Sequence, residues 1–355
     1  MAKLRIALIG NGGICRGSHI PNYCEDERVE VVAFCDIIEE RAIALRDEYY
    51  PDAAVYTDYK ELLKDETIDA VDICTPNYLH SIIAVDAFKA GKHVLCEKPD
   101  AIDVTEVLKM KNAADEAGKV LMVIRNNRFV TASQYAKKFV EAGRMGEIYC
   151  GRCGWQRRRG IPGKGGWFTT KEQSGGGPLI DLGVHMIDLA IWLMGNPTPV
   201  AVSANTYTKF ADNDTSDSEN SKFGDANSEG TFDVEDLAMG FIRFDNGASM
   251  QIEFSWASNI EKEIAFIDLR GTKAGATNHT SDGRFKVFTE EGGTTVDIVP
   301  NLPKQIGPHE LNLKHFFDVL ADGVEPDFKP IQGVNMVKIL EAMYKSAELG
   351  EEVKL

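Results

Sequence analysis

The 355-residue sequence lacks three features that would point to a membrane, a secretory route or a nucleic-acid partner. It contains no apolar run of membrane-spanning length, and MAKLRIALIG at its start leads into glycines without a small-residue cleavage site. An excess of positive charge is also missing, because the formal net charge is −16 at pH 7. An acidic chain repels nucleic acid and anionic membrane surfaces. We therefore expect a cytoplasmic protein with neither nucleic acid nor membrane as a partner.

Cysteine is absent after residue 153, and the seven cysteines before that point suggest packing rather than chemistry. Cys35, Cys74 and Cys96 each end an apolar, strand-like run, as small buried side chains do. Cys150 and Cys153 form CGRC, a spacing that redox and zinc sites use. No second pair follows, and residues three apart on a strand face opposite sides. A structural role is favoured for both, and we predict no metal.

Calcium-loop spacing is missing from the most acidic segment, residues 211–230, ADNDTSDSENSKFGDANSEG. Its polar composition is typical of a solvated loop. No metal is assigned to it, and its role is left open.

The length and the pattern of apolar runs predict two domains of different class, since 355 residues exceed the usual size of one core. In the first third, LRIALIG, VEVVAFCD, AVDICT, HVLCEKP and VLMVI alternate with helix-like stretches over 39–49, 59–63, 80–90 and 104–117. This alternation predicts an α/β domain with a doubly wound parallel sheet. After about residue 129 the strands become long, and Asn246-Gly247 marks a hairpin. The second domain is therefore predicted to be α+β, with an antiparallel or mixed sheet.

The first strand ends in GNGGIC, in which Gly10, Gly12 and Gly13 permit a tight turn and close approach of a pyrophosphate. Cys15 stands where the dinucleotide-binding fingerprint usually has Gly or Ala. The second strand ends in Asp36, where a carboxylate would bind the ribose hydroxyls of NAD and repel a 2′-phosphate. These residues predict a Rossmann domain that binds NAD, with NADP disfavoured. The alternative for Asp36 is a solvated acid at a strand end.

Two further strands end in motifs at the edge where doubly wound sheets bind ligands. TPNYLH covers Thr75–His80, and CEKP covers Cys96–Pro99. A partly desolvated Lys98 beside a cofactor could stabilise an alkoxide, with Glu97 as its partner. Ordinary turn residues and a surface ion pair are the alternatives at these two positions.

The segment SGGGPLIDLGVHMIDLAIWLM predicts a mostly apolar helix that begins at Pro178 and carries one narrow polar strip. At about 100° per residue, Asp181, His185 and Asp188 fall within roughly 60° of one another. A carboxylate can orient an imidazole and stabilise its protonated form, as a general base requires. A structural His–Asp pair and a catalytic one are about equally supported, and Asp188 could belong to either.

Together these motifs resemble, in order and separation, the glucose–fructose oxidoreductase / inositol dehydrogenase / rhizopine-catabolism (Gfo/Idh/MocA) family. The matches NNRF, GRMGEIY and VEDLAMGFIRFDNGASMQIEFSW extend the resemblance over nearly the whole chain. It implies a Rossmann domain over 1–128, a substrate-binding and oligomerisation domain over 129–330, and a C-terminal helix within 331–355 that returns to the Rossmann domain. The second domain would hold a large, open, mostly antiparallel sheet, which usually forms a homodimer or homotetramer.

The resemblance also assigns roles to particular residues. It makes Lys98, Asp181 and His185 the catalytic set, and a cis Lys98–Pro99 peptide is expected. The expected cofactor contacts are Gly10, Gly12, Gly13, Ile14, Asp36, Thr75, Pro76, Asn77, His80, Glu97, Lys98 and Asn126.

The segment WQRRRGIPGKGGWF is not a general motif of that family, and it leads into the catalytic helix. Aromatic faces suit sugar rings, and arginines suit carboxylates or phosphates. Strand-end and interface packing is the alternative for these residues. The predicted substrate contacts are Lys98, Asn126, Arg128, Trp155, Arg158, Trp167, Asp181 and His185.

Three functions are compatible with the motifs. The first is hydride transfer between NAD(P) and a carbinol carbon of a sugar, polyol or glycoside, with His185 as the base and Lys98 stabilising the oxyanion. The second is a glycosidase that oxidises its substrate transiently and eliminates the aglycone. The third, a sensor that binds NAD without catalysis, is disfavoured because it would not need Lys98, Asp181 and His185 together.

Overall fold

The computed structural model describes residues 3–216, 218–279 and 284–355, and the chain forms two compact units. The first unit comprises Met1–Asn126 with Gly307–Val337, and the second comprises Asn127–Ile306 with Lys338–Leu355. The helix Pro308–Asp322 is grouped with the first unit, although residues 129–330 were expected to form the second domain. The last helix, Pro330–Leu349, contributes residues to both units.

The first unit contains a six-stranded sheet of the Rossmann type. Its strands are β1 (Leu4–Ile9), β2 (Val29–Cys35), β3 (Ala54–Tyr56), β4 (Ala70–Ile73), β5 (His93–Cys96) and β6 (Leu121–Val123). All neighbours pair in parallel, in the order β3-β2-β1-β4-β5-β6. This order confirms the predicted doubly wound sheet. Strand β3 was missed because three residues are too few to show a pattern.

Helices pack on both faces of this sheet, so its strands are buried on both sides. They span Ile20–Tyr23, Glu39–Tyr49, Tyr59–Leu62, His80–Lys89, Val104–Ala117 and Pro308–Asp322. Gly118 follows its helix in the left-handed conformation at φ 60°, which glycine adopts readily at a helix C-terminus.

The second unit contains a nine-stranded sheet among its described residues. Its strands are β7 (Ile148–Gln156), β8 (Pro199–Tyr207), β9 (Leu237–Phe244), β10 (Ser249–Ser255), β11 (Ile264–Gly271), β12 (Ala274–His279), β13 (Arg284–Glu291), β14 (Thr294–Ile298) and β15 (Val353–Lys354). The order is β14-β13-β12-β11-β7-β10-β9-β8-β15, and only β7 and β10 pair in parallel. The predicted mostly antiparallel sheet is confirmed, and Asn246-Gly247 forms the β9–β10 hairpin.

The predicted continuous helix from Pro178 is wrong, because it breaks at Leu182 into Pro178–Asp181 and Gly183–Leu193. The segment Lys171–Asp181 is bent by 48° from the second helix. Gly183 lowers the helix propensity at the break and lets the Phe254 ring approach, since a Cβ there would lie 3.3 Å from that ring. Asp181 and His185 are therefore not neighbours on one straight helix.

The cysteines are free in this structure, and five of the seven are buried. Cys35, Cys74 and Cys96 lie in the first unit's core, as predicted. On β7, Cys153 is buried and Cys150 is half-buried, which supports a packing role for CGRC.

The acidic segment is mostly exposed but is held against the glycine-rich loop before residue 168. Lys164 Nζ lies 2.5 Å from Asp214 Oδ1, and any side chain on Gly165 would collide with the Asn227 carbonyl. Position 217 lies outside the described residues. The described residues of the acidic segment therefore form a loop that is anchored to the glycine-rich loop.

Candidate active site

The sheet register of the first unit places the predicted cofactor residues along one edge. Ile9 pairs with both Cys35 and Ile73, Ile73 pairs with Cys96, and Cys96 pairs with Val123. The residues after these five form a row at the carboxyl ends of the strands, where doubly wound sheets bind ligands. This row brings together Gly10, Asp36, Thr75, Glu97 and Asn126 with their sequence neighbours Gly12, Gly13, Ile14, Pro76, Asn77 and Lys98.

The glycine turn after β1 is shaped by two different requirements. Gly10 has φ +89°, and a Cβ there would lie 2.7 Å from the Cys74 carbonyl carbon. Gly12 and Gly13 have no atom within 4 Å of an added Cβ, so they border open space. Cys15 is fully buried and begins a π-helical turn, Cys15–His19. Gly10 is therefore fixed by packing, whereas Gly12 and Gly13 leave room for a ligand.

Asp36 organises this turn with both carboxylate oxygens. Oδ2 accepts a hydrogen bond from the Asn11 N–H at 2.7 Å, and Oδ1 accepts one from the Ile38 N–H at 2.8 Å. Each carboxylate oxygen has a second lone pair for a hydroxyl donor. The side chain is buried, which disfavours the alternative of a solvated acid.

Three buried oxygens at this edge have no hydrogen-bond partner among the described residues: Asn11 Oδ1, Thr75 Oγ1 and Asn126 Oδ1. Buried polar atoms are seldom left unpaired, and a dinucleotide carries hydroxyl and amide groups that could pair with them. The open space at Gly12 and Gly13, the Asp36 carboxylate and these orphaned oxygens fit NAD(P).

His80 fastens two of the turns to each other instead of lining the edge. Its Nδ1 lies 2.7 Å from the Pro99 carbonyl oxygen, and its Nε2 lies 2.9 Å from that of Thr75. The ring is fully buried, and burial lowers the pKa of His80. The Lys98–Pro99 peptide is cis, and Lys98 is half-buried.

A charged cluster that was not predicted from the sequence lies below this edge. It comprises His19, Asp72 and Glu97 and is called the His19 cluster. His19 Nδ1 lies 2.6 Å from Asp72 Oδ2, and its Nε2 lies 2.9 Å from Glu97 Oε1. The Tyr23 hydroxyl donates to Asp72 at 2.9 Å, and the Lys98 N–H donates to Glu97 Oε2 at 3.0 Å. The signal that could have revealed it is Asp72 within the apolar run AVDICT, where a buried charge requires a partner.

The His19 cluster holds an imidazolium between two carboxylates. Burial alone would lower the pKa of His19, but Asp72 and Glu97 outweigh it and raise that pKa well above 6.5. Burial would raise the pKa of Glu97, but the hydrogen bond and charge of His19 lower it to about 2. His19 and Glu97 are therefore both charged near neutral pH.

The glycines before Pro178 fit tightly around the start of the helical segment. A Cβ on Gly176 would collide with the Tyr344 hydroxyl, and one on Gly177 with the Glu235 carbonyl. The buried Glu235 carboxylate accepts hydrogen bonds from the N–H groups of Gly177 and Leu179 at 2.9 and 3.0 Å. It thereby caps the short helix that carries Asp181.

Asp181 and His185 each contact a tryptophan of the second unit. The indole N–H of Trp256 donates to Asp181 Oδ2 at 2.9 Å, and both side chains are buried. The half-buried rings of Trp155 and His185 have their centroids 6.1 Å apart. Trp256 thus fixes the carboxylate, and Trp155 presents an aromatic face beside the imidazole.

The structure answers the open question about Asp188, which is a buried partner of Arg128. The guanidinium Nε and a terminal nitrogen of Arg128 donate to the two Asp188 oxygens at 2.8 and 2.7 Å. Arg128 is only 1% exposed, although it was predicted to contact the substrate. This bidentate pair holds the NNRF segment against the helix Gly183–Leu193.

The aromatic and basic residues near the end of β7 differ in burial, and the predicted contact Arg158 is the more exposed of two neighbouring arginines. Arg158 is exposed, whereas the neighbouring Arg157 is buried below the Trp155 ring, with its Cζ 5.3 Å from the ring centroid. Trp167 stacks on Phe168 at 3.8 Å and is half-buried. Arg157 belongs to the set Trp155, Arg157, Arg158, Arg159, Trp167 and Phe168, some of which were expected to line the substrate site, but Arg158 was the arginine selected. The fit of Arg157 below Trp155 becomes visible only in three dimensions.

Comparisons with known proteins assign both units. A model described as an oxidoreductase family with an NAD-binding Rossmann fold matches residues 4–125, and a Gfo/Idh/MocA C-terminal domain model matches residues 133–294. The chain belongs to the Gfo/Idh/MocA family. This confirms the resemblance inferred from the motifs.

Relatives of this Gfo/Idh/MocA oxidoreductase span its full length. D-glucoside 3-dehydrogenase of Escherichia coli is 33% identical over 355 residues, covering 100% of this chain and 98% of that protein. The crystal structure of aldose-aldose oxidoreductase from Caulobacter crescentus has a TM-score of 0.80 and 26% identity, and the match covers 99% and 100% of the two chains. Levoglucosan dehydrogenase in complex with NADH and L-sorbose has a TM-score of 0.84 and 25% identity, covering 100% and 99%.

The chain is thus an NAD(P)-dependent oxidoreductase of the dehydrogenase type that acts on CH–OH groups. Among the described residues, no single helix is long and apolar enough to cross a membrane. One bent pair, Lys171–Asp181 with Gly183–Leu193, passes that test of length and composition jointly, and most of its residues are buried in the second unit.

Proposed function

We propose that this oxidoreductase uses NAD to oxidise a secondary hydroxyl of a sugar, polyol or glycoside. The names of the relatives, D-glucoside 3-dehydrogenase above all, support a carbohydrate substrate. The observation that carries the catalytic assignment is the half-buried His185 beside the Trp155 ring, close in the chain to an Asp181 held by Trp256. Lys98 follows the buried Glu97, whose carboxylate binds the Lys98 N–H.

The proposed chemistry divides the hydroxyl's two hydrogens. A ring nitrogen of His185 takes the O–H proton, and the charge of Asp181 stabilises the imidazolium that forms. The Lys98 ammonium stabilises the negative charge that develops on the oxygen. The nicotinamide, when bound, accepts the hydride from carbon, so that a ketone, NADH and a proton are produced.

NAD is preferred over NADP in this proposal because of Asp36. Its carboxylate lies at the end of β2, and its neighbour Ile37 is 90% exposed and offers no positive charge. A 2′-phosphate would be repelled there. We expect kcat/KM to be at least about tenfold higher with NAD, because one adverse charge contact costs on the order of 1.4 kcal/mol.

Formation of NADH from monosaccharides, inositols and glycosides tests the function, with both cofactors in parallel. Lys98→Ala and His185→Ala should each lower kcat by about 10²–10⁴-fold, the usual contribution of one acid–base group. NADH affinity of the His185 variant should stay within about threefold, and Arg144→Ala, at an exposed position, is the control. Full activity in both variants would reject the assignment. Aglycone release without net NADH would indicate a glycosidase instead.

We also propose that the second sheet forms a homodimer or homotetramer of a cytoplasmic enzyme. Tyr149 on β7, Met239 on β9 and Phe288 on β13 are large apolar side chains that remain 38–49% exposed. Exposed apolar side chains spread across one sheet are typical of an interface. Light scattering after size-exclusion chromatography measures the mass directly, and a mass of 39.2 kDa would contradict the proposal.

A further inference from the structure

Arg157 and Glu263 face each other across two neighbouring strands of the second unit. The last pair in the antiparallel β7–β11 ladder is Gln156 with Ile264. The next opposed residues are therefore Arg157 and Glu263, and directly opposed side chains lie about 5 Å apart at Cβ. Their position just beyond the ladder leaves their side chains outside the regular sheet packing.

Arg157 and Glu263 lie on the same face of the sheet as His185. Trp155 and Arg157 are two residues apart, so they project to one side, and the guanidinium contacts the indole ring. On the same side, Cys153, Ala265, Ile267 and Leu269 are buried, and the helix Gly183–Leu193 packs on β7 and β11. Arg157 and Glu263 thus extend the surface formed by Trp155 and His185.

Both side chains have a polar atom without a partner. Arg157 is 7% exposed, and its Nε has no hydrogen-bond partner in the part of the chain that the structure describes. Its NH1 donates to the Gly160 carbonyl at 3.2 Å. Glu263 Oε1 is also buried and unpaired within the same described ranges. Leaving a buried donor or acceptor unpaired costs about 1–3 kcal/mol, so the arrangement favours a ligand that pairs with both.

The charges around Arg157 favour a neutral ligand. Burial lowers the pKa of Arg157 despite the opposing charges of Asp181 and Glu263. An arginine side chain nevertheless stays charged at neutral pH. One positive and two negative charges leave a local excess of negative charge, which disfavours a carboxylate or phosphate. A hydroxyl group can accept from Nε and donate to the carboxylate, and the neighbouring Trp155 offers a face for a sugar ring.

We propose that Arg157 and Glu263 form a hydroxyl-binding subsite that recognises one hydroxyl, or two adjacent hydroxyls, of a neutral carbohydrate. The hydroxyl belongs to the substrate ring or to a second ring attached to it, and it is not the one that is oxidised. This inference rests on the proposed function, and it adds a specificity element that comes from the segment outside the general family pattern.

The test compares Glu263→Gln, Arg157→Lys and the control Arg144→Ala, at an exposed position, on the best substrate and on its monodeoxy analogues. A hydrogen bond to a charged group contributes about 1.5–3 kcal/mol, so KM should rise by roughly 10–150-fold in the first two variants, with kcat within about threefold. Wild type should lose a similar factor with one deoxy analogue, and the variants should lose nothing further with it. Equal discrimination by wild type and variants would overturn the proposal.

Two controls keep the outcomes separate. Melting temperatures show whether Arg157→Lys still folds, and Glu263→Gln carries the test alone if it does not. If wild type forms no NADH with any carbohydrate, the proposed function fails. The subsite is then judged by titration calorimetry of methyl glucoside with the NADH-bound protein. Loss of that binding in Glu263→Gln but not in Arg144→Ala supports it, whereas no wild-type binding or equal binding overturns it.

Discussion

Two buried charge clusters, one in each unit, differ in how completely their polar atoms are paired. In the His19 cluster, each carboxylate oxygen of Asp72 and Glu97 has a partner. At the end of β7 and β11, Arg157 Nε and Glu263 Oε1 have none among the described residues. A fully paired cluster fixes geometry, whereas an incomplete one has unused binding capacity. The His19 cluster therefore positions the Lys98 turn, whereas Arg157 and Glu263 are suited to contact a ligand.

The largest expected effect comes from breaking the paired cluster. His19→Ala would leave two buried carboxylates without their counter-charge, and the free energy of unfolding should fall by about 3–5 kcal/mol. Chemical denaturation at pH 7 measures this change. Tyr23→Phe is the matched control, because it removes only one hydrogen bond to Asp72 and should cost about 1 kcal/mol. A loss below 1 kcal/mol for His19→Ala would show that His19 is not the counter-charge of Asp72 and Glu97.

A smaller effect should appear in the pH dependence of stability. Because folding raises the pKa of His19, this residue stabilises the folded state fully below pH 6.5. The stabilisation is lost as the pH rises through the pKa of His19 in the folded state. Because folding lowers the pKa of Glu97, this residue stabilises the folded state fully above pH 4.5. The stabilisation is lost as the pH falls toward about 2. The surrounding titratable groups are Asp72, Tyr23, Cys74, Cys15, Lys98 and His309.

The difference in unfolding free energy between wild type and His19→Gln should therefore be greatest between pH 4.5 and 6.5. It should shrink on both sides of that window. Denaturation curves at intervals of one pH unit provide the measurement, and a difference that does not change with pH would contradict the charged cluster.

The smallest effect on stability is expected at the unpaired cluster. Glu263 Oε1 has no hydrogen-bond partner among the described residues, so Glu263→Gln breaks no bond to that oxygen. The unfolding free energy should therefore change by less than about 1 kcal/mol. The two variants should differ in what they change. Glu263→Gln should alter the KM for the substrate, and His19→Ala should alter the free energy of unfolding. If Glu263→Gln destabilises the protein as much as His19→Ala, the two clusters do not differ as proposed.

Local patterns were sufficient where a residue's role depends on its sequence neighbours. The helices Glu39–Tyr49 and Val104–Ala117 match their predicted bounds, and the β9–β10 hairpin forms at Asn246-Gly247. The break at Leu182 was not predicted, because it depends on the Phe254 ring from β10 approaching Gly183. Arg157 and Arg158 are adjacent and chemically identical, so only the strand register distinguishes the buried one from the exposed one.

By itself, the sequence determined the family, the two fold classes and the order of the motifs that end successive strands. The fold classes and the strand-end positions follow from hydrophobic periodicity and turn chemistry, which act over a few residues. The family follows from the resemblance of the motifs to a known pattern. The tertiary structure decided which buried charges are paired, Asp72 with His19 across 53 positions and Asp188 with Arg128 across 60, and which polar atoms of Arg157 and Glu263 lack a partner among the described residues. Pairing of buried charges depends on distance in space, and strands and helices far apart in the chain set that distance.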